Sequence, residues 1–165
     1  MKTQDFLLEL GTEELPPKLL VKLSSSLKDN IINELKQLNI STSNVIAYAT
    51  PRRLAITITE LQSKQQDQII EKKGPSVESS DKAIEGFAKS CGVDISELEK
   101  RSLGNKEYYF YKAQEAGKSI QSLLPRVIES SINNIPITRP MKWGNLDFSF
   151  VRPVHWLVIM IDNEV

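Results

Sequence analysis

Leu20, Leu23, Leu27, Ile31, Leu35 and Leu38 recur at steps of three and four residues, directly after the doublet Pro16-Pro17. That spacing places all six on one face of a helix. Two prolines suit its start, because the N–H groups of a first helical turn have no intrahelical partner to lose. The pattern predicts a long helix over residues 17–38. The neighbouring segments carry a different period. Residues 5–9 and 45–49 read as strands, and 54–61 alternates Leu54, Ile56 and Ile58 with Ala55, Thr57 and Thr59, rich in β-branched residues.

Further along, residues 68–72 read as a strand ended by Gly74-Pro75, and 76–80 as a loop. Asp81 is placed to cap a short helix carrying Ile84, Phe87, Ala88 and Cys91, stopped by Gly92. Asp94 followed by Glu97 predicts a second helix start running to about Arg101. Leu103-Gly104-Asn105 reads as a turn and 107–113 as an aromatic strand. Ser119 opens a helix with Ile120, Leu124, Val127, Ile128 and Ile132 inward, and Pro125 inside it predicts a kink or a later start. Residues 146–150 and 154–161 read as strands. Asp162-Asn163 is turn chemistry, and Glu164-Val165 resembles the opening of a further strand, as in a hairpin that has been cut. Helices and strands mix without regular β-α-β alternation. The expected class is therefore α+β: a mixed or mainly antiparallel sheet packed with several helices. Residues 1–165 read as one truncated domain of a longer protein, with a possible sub-boundary near 76–80.

Composition narrows the function classes. Twenty-one Lys and Arg face 21 Asp and Glu, so the formal net charge is zero. That excludes a domain gripping nucleic acid by bulk charge. It leaves room for local patches, because residues 139–153 hold three basic groups and one acid, and 50–75 hold five and three. The longest apolar run, Trp156-Leu157-Val158-Ile159-Met160-Ile161, is far short of the roughly 20 residues that cross a bilayer. The N-terminus lacks the apolar core of a signal peptide. A single cysteine, Cys91, permits no internal disulfide and suits a reducing compartment. A soluble cytoplasmic protein without membrane partners is the expectation.

Several segments are unusual. Gly11-Thr12-Glu13-Glu14-Leu15-Pro16-Pro17 sets two carboxylates before a helix start, where they serve either as helix-end charges or as a binding loop. Thr50-Pro51-Arg52-Arg53-Leu54-Ala55 puts two guanidinium groups, suited to bidentate phosphate contact, at a strand entrance. Strand alternation points Arg52 and Arg53 to opposite faces, so they serve one ligand only if the strand is bulged. Lys72-Lys73-Gly74-Pro75 follows a strand and reads as a solvated turn or a phosphate contact. Arg139-Pro140-Met141-Lys142-Trp143-Gly144 and Phe150-Val151-Arg152-Pro153-Val154-His155-Trp156 interleave cations with tryptophan, as single-stranded nucleic acid sites do. Trp143 equally suits a core plug beside a turn. His155 is the only histidine, so no histidine-rich zinc set can form, and it reads as a hydrogen-bonded structural residue rather than half of a dyad with Cys91. No phosphate-cradling or nucleophile-elbow motif occurs, and no catalytic residue or metal set is predicted.

Five blocks within these segments, residues 11–17, 50–55, 72–75, 141–144 and 150–156, in this order and spacing, resemble the N-terminal region of the bacterial glycyl-tRNA synthetase beta subunit, and the resemblance runs from Phe6 to the last residue. The segment after Pro75, near 76–82, is short for that pattern. The resemblance implies a subunit of an alpha2beta2 enzyme that charges tRNA with glycine. ATP, glycine and Mg²⁺ are then expected in the alpha subunit, with no cofactor and no catalysis in this region alone. The implied partners are the alpha subunit and glycine tRNA. The tRNA-facing candidates are Arg52, Arg53, Lys72, Lys73, Arg139, Lys142 and Arg152. The interface or loop-structural candidates are Glu13, Glu14, Trp143 and His155. A purely structural interface module is the alternative. An editing or small-ligand domain, with Glu13 and Glu14 holding an amine, is a further one.

Overall fold

The computed structural model describes residues 2–104 and 106–165 and divides the chain into two compact units. One unit comprises residues 1–65 and 118–165, the other residues 66–117. Asn105, part of the turn expected from sequence, lies outside the described residues.

The larger unit is built on a four-stranded antiparallel sheet. Its strands are β1 (Thr3–Thr12), β2 (Val45–Thr50), β3 (Arg53–Gln62) and a late strand, Val154–Ile161, which is β9 in chain order. The order across the sheet is β2-β3-β1-β9. Leu8 pairs with Ile56 of β3 on one side and Ile159 of β9 on the other. Phe6, Leu8 and Leu10 alternate toward the core and are almost wholly buried. Two helices cover that face: α1 (Leu20–Gln37) and a second, Ile120–Asn133, which is α3 in chain order. Leu27 and Ile31 of α1 meet Leu124 and Ile128 of α3 in the same core as the strands. The element order β1-α1-β2-β3-α3-β9 with this antiparallel strand order is the split β-α-β, or ferredoxin-like, arrangement. The smaller unit is inserted between β3 and α3.

The long N-terminal helix begins as a 3-10 turn, Pro17–Leu19, and becomes α-helical at Leu20. The two prolines set the turn, and the leucine stripe carries the rest. α3 is continuous through Pro125, with the Ser119 side chain capping its N-terminus. The helix does not start late: it runs from Ile120 to Asn133 with Pro125 inside it. Gln65 N–H donates to the Lys118 carbonyl at 2.9 Å, so the chain leaves this unit and returns side by side.

The smaller unit holds β4 (Gln68–Ser76), α2 (Asp81–Cys91), β5 (Glu99–Leu103) and β6 (Lys106–Glu115), with strand order β4-β6-β5. Ile84 and Ala88 of α2 pack on Leu98 and Tyr109. Residues 76–80 lie inside this unit, leading from the end of β4 to α2. Two expectations change here. β4 does not stop at Gly74-Pro75: a register shift between Lys73 and Ser76 absorbs the pair. A Cβ at Gly74 would lie 2.4 Å from the Phe87 ring, so a larger residue there must displace that ring. Asp94 and Glu97 frame only a 3-10 turn, Ile95–Glu97, and the chain is extended again from Glu99.

In the larger unit, residues 146–149 are largely outside any strand. A short hairpin of β7 (Met141–Lys142) and β8 (Ser149–Phe150) forms instead, anchored by the fully buried Phe150. Leu8→Ala removes a side chain that is 0% exposed at the centre of the main sheet. It is expected to cost about 2–5 kcal/mol, read as a lower urea midpoint. Ile69→Ala, at an exposed site of β4, should stay within about 0.5 kcal/mol of the parent.

Candidate functional site

Antiparallel pairing decides where the unusual segments go. The C-terminal end of β1 meets the beginnings of both β3 and β9, so Gly11 is opposite Arg53 on one side and Trp156 on the other. Backbone hydrogen bonds continue the stitching beyond the strands. Thr12 N–H donates to the Arg52 carbonyl at 2.9 Å, Leu15 N–H to Pro51 at 2.7 Å, and Glu13 N–H to Pro153 at 3.0 Å. Leu15, almost wholly buried, pins the loop to the core. Three of the five segments thus form one end of the sheet, and the β7–β8 segment joins through Arg152.

Side chains cross-connect the same end. Trp156 lies flat over Gly11, where a Cβ would sit 2.0 Å from the indole. Its Nε1–H donates to Glu9 Oε1 at 2.9 Å, and Arg53 approaches Glu9 Oε2 at 3.2 Å. Glu13 Oε1 is 3.0 Å from His155 Nε2, and Glu14 Oε1 is 3.5 Å from an Arg52 nitrogen. Arg152 differs from these. Its guanidinium donates to the Glu14 and Val151 carbonyls at 3.2 and 3.4 Å and touches Met141 Sδ at 3.4 Å. It has no carboxylate partner among the described residues. Lys142 Nζ is 3.7 Å from Asp147, and the exposed Arg139 makes no side-chain bond among the described residues.

Of the sequence-derived candidates, Glu13, Glu14, Arg52, Arg53, Arg152 and His155 come together at this sheet end. Arg52 lies in the two-residue turn between β2 and β3 and Arg53 opens β3, so strand alternation does not apply to the pair; the two take different carboxylates. Glu13 and Glu14 likewise face different partners, His155 and Arg52. Trp143 is half-buried against the main core. Glu9 was missed: it is one of two polar residues of β1 flanking the Phe6-Leu7-Leu8 run, and only its position two residues before Gly11 marked it.

Lys72 and Lys73 belong to the other unit and sit in β4, not in a turn. Lys73 Nζ lies 3.9 Å from the centre of the Tyr108 ring. On the same small sheet Arg101 pairs with Glu99 and, at 2.9 Å, with Glu71. The hydrogen bond and charge of Arg101 hold the Glu99 carboxyl below its ordinary value. Cys91 lies in this unit and His155 in the larger one. Among the described residues no group of three His, Cys, Asp or Glu side chains is placed to hold a metal ion, and no helix is long and apolar enough to cross a membrane.

Over residues 6–165 the sequence matches the family described as glycyl-tRNA synthetase beta subunit. Glycine--tRNA ligase beta subunits of Coxiella burnetii, Colwellia psychrerythraea and Yersinia enterocolitica are 40%, 37% and 39% identical to it over 172 residues. Each alignment covers 100% of this chain and 25% of the relative, so the chain spans about a quarter of the length of the curated relatives it matches.

Gly11→Ala must displace Trp156, and it should red-shift and quench tryptophan emission relative to the parent. The double variant with Trp156→Ala removes the clash and should recover most of the lost stability. In the smaller unit, the depressed Glu99 value means that its ion pair is intact above the ordinary carboxylate range and is lost as pH falls through the lowered value. Arg101→Gln should raise the Glu99 titration midpoint toward the ordinary range, as followed by carboxyl NMR.

Proposed function

The chain belongs to the glycyl-tRNA synthetase beta-subunit family, and from that premise we propose that it serves ATP-dependent charging of tRNA with glycine by contacting tRNA and supporting subunit assembly. In this reading it supplies no reacting group and is inactive alone. The alpha subunit of an alpha2beta2 tetramer supplies the site for ATP, Mg²⁺ and glycine, and the enzyme is cytoplasmic. The donor set here does not suit Mg²⁺ or an amine: Glu9, Glu13 and Glu14 are each already opposed by a base or an indole N–H.

The observation that carries the reading is the gathering of four motif segments at one end of one sheet, with exposed guanidinium groups among them. Among the described residues Arg152 and Arg139 have no carboxylate to surrender, so they are the cations best placed to accept an RNA phosphate. Arg52, Arg53 and Lys142 would have to exchange Glu14, Glu9 and Asp147 for it. Lys72 and Lys73 offer a separate contact from the smaller unit. The assembly reading is favoured by Trp143, Glu13 and His155, since a neutral, tryptophan-bearing loop cluster is typical of protein interfaces.

Arg139→Glu with Lys142→Glu in the full tetramer should weaken tRNA binding. It should also flatten the dependence of log affinity on log salt by roughly 0.7–0.9 for each phosphate no longer neutralised. Unchanged affinity with intact tetramers refutes tRNA contact at this end. Loss of tetramers instead assigns the same surface to assembly.

A further inference from the structure

We infer that β9 is an inner strand of the full-length subunit: the polypeptide that follows Val165 lies antiparallel along its free edge and fills an apolar groove beside α3. Among the described residues β9 has one neighbouring strand, β1, and its sequence Val-His-Trp-Leu-Val-Ile-Met-Ile holds no Asp, Glu, Lys, Arg or Pro. Those are the residues that ordinarily keep an open edge from pairing. Leu157 is in register with the buried Leu10, on the face the helices cover, yet it is 45% exposed. The helices leave a groove of about 330 Å³ there, walled by Ile128 and Ile132 of α3, Phe148, Val154, Leu157 and Ile159.

The first rung of the added strand is already formed. Ile161 N–H donates to the Glu164 carbonyl and Glu164 N–H to the Ile161 carbonyl, both at 2.9 Å. That reciprocal pair closes a two-residue hairpin. Asp162, at φ 51°, turns the chain. Its carboxylate accepts the Asp5 N–H at 2.8 Å, which fixes the turn against β1. Because the Ile161 N–H points to the free edge, strand alternation points those of Ile159 and Leu157 the same way. A chain running on from Glu164 pairs its first residue after Val165 with Ile159 and its third with Leu157. Both then face the groove and are expected to be apolar. The relatives have chain to supply the strand, since this sequence covers 25% of their length.

Residue-resolved hydrogen exchange on the full-length subunit tests this directly. The Leu157 and Ile159 amides should exchange as slowly as those of Val158 and Met160, which point to β1. Exchange at the rate of open amides overturns the inference. Protection that appears only in the tetramer overturns it too, because the occupant is then another chain. As a second measurement, Val158→Cys in a Cys91→Ser background should form an intramolecular disulfide with a cysteine at the second residue after Val165. It should not form one with a cysteine at the third. A bridge between subunits, or preference for the third position, refutes the register.

Discussion

β1 is paired antiparallel on both sides, and most of what is distinctive about the larger unit follows from that. Its inward residues Phe6, Leu8 and Leu10 anchor the core shared by α1 and α3. Its outward end can meet only the starts of β3 and β9. Segments far apart in sequence are therefore brought to one place by strand direction alone, before any side chain chooses a partner. Moving one strand by a single residue would turn Leu8 to the open face, so the hydrophobic alternation that builds the core also fixes the register of the site.

The ion pairs at that end contribute little to holding it together. Exposed pairs of this kind are worth between about 0 and 1 kcal/mol each. The durable connections are the backbone bonds of Thr12, Glu13 and Leu15 and the packing of Trp156 on Gly11. The pairs set orientation and charge instead: Glu9 fixes the indole and Arg53 from opposite sides, and Glu13 fixes His155. A surface held this way can change partners without unfolding, since the backbone scaffold does not depend on which carboxylate each guanidinium faces.

Legibility in the sequence followed the length and strength of each pattern. The leucine stripe after Pro16-Pro17 and the alternation from Leu54 were strong enough to place α1 and β3 nearly to the residue, and the α+β class with them. β5, Glu-Lys-Arg-Ser-Leu, has no apolar alternation, and the Asp94/Glu97 pair ahead of it mimics a capping box; its strand state comes from pairing with the aromatic β6. Gly74-Pro75 looked like a terminator because the register shift that accommodates it is a property of two strands together. The insertion of the smaller unit was invisible for a related reason: Gln65 meets Lys118 across more than fifty residues. At the site, the unusual segments were all visible, but their partners were not. Glu9 looked like an ordinary strand residue until Gly11 and Trp156 were brought across from it.

The zero net charge takes on a specific meaning in this geometry. At the sheet end, cations and carboxylates are interleaved so that Arg52 and Arg53 are neutralised at close range, and their field beyond about a Debye length, some 8 Å at physiological salt, is small. Steering of a polyanion from a distance by these two groups is therefore weak. Arg152 breaks the pattern, because its guanidinium rests on carbonyl oxygens and a thioether, which orient it without cancelling its charge. An RNA phosphate meeting Arg152 gains a full charge-assisted bond. One meeting Arg52 gains only the difference between phosphate and Glu14. In the proposed reading, discrimination at such a surface resides in fit at the loop cluster rather than in bulk charge.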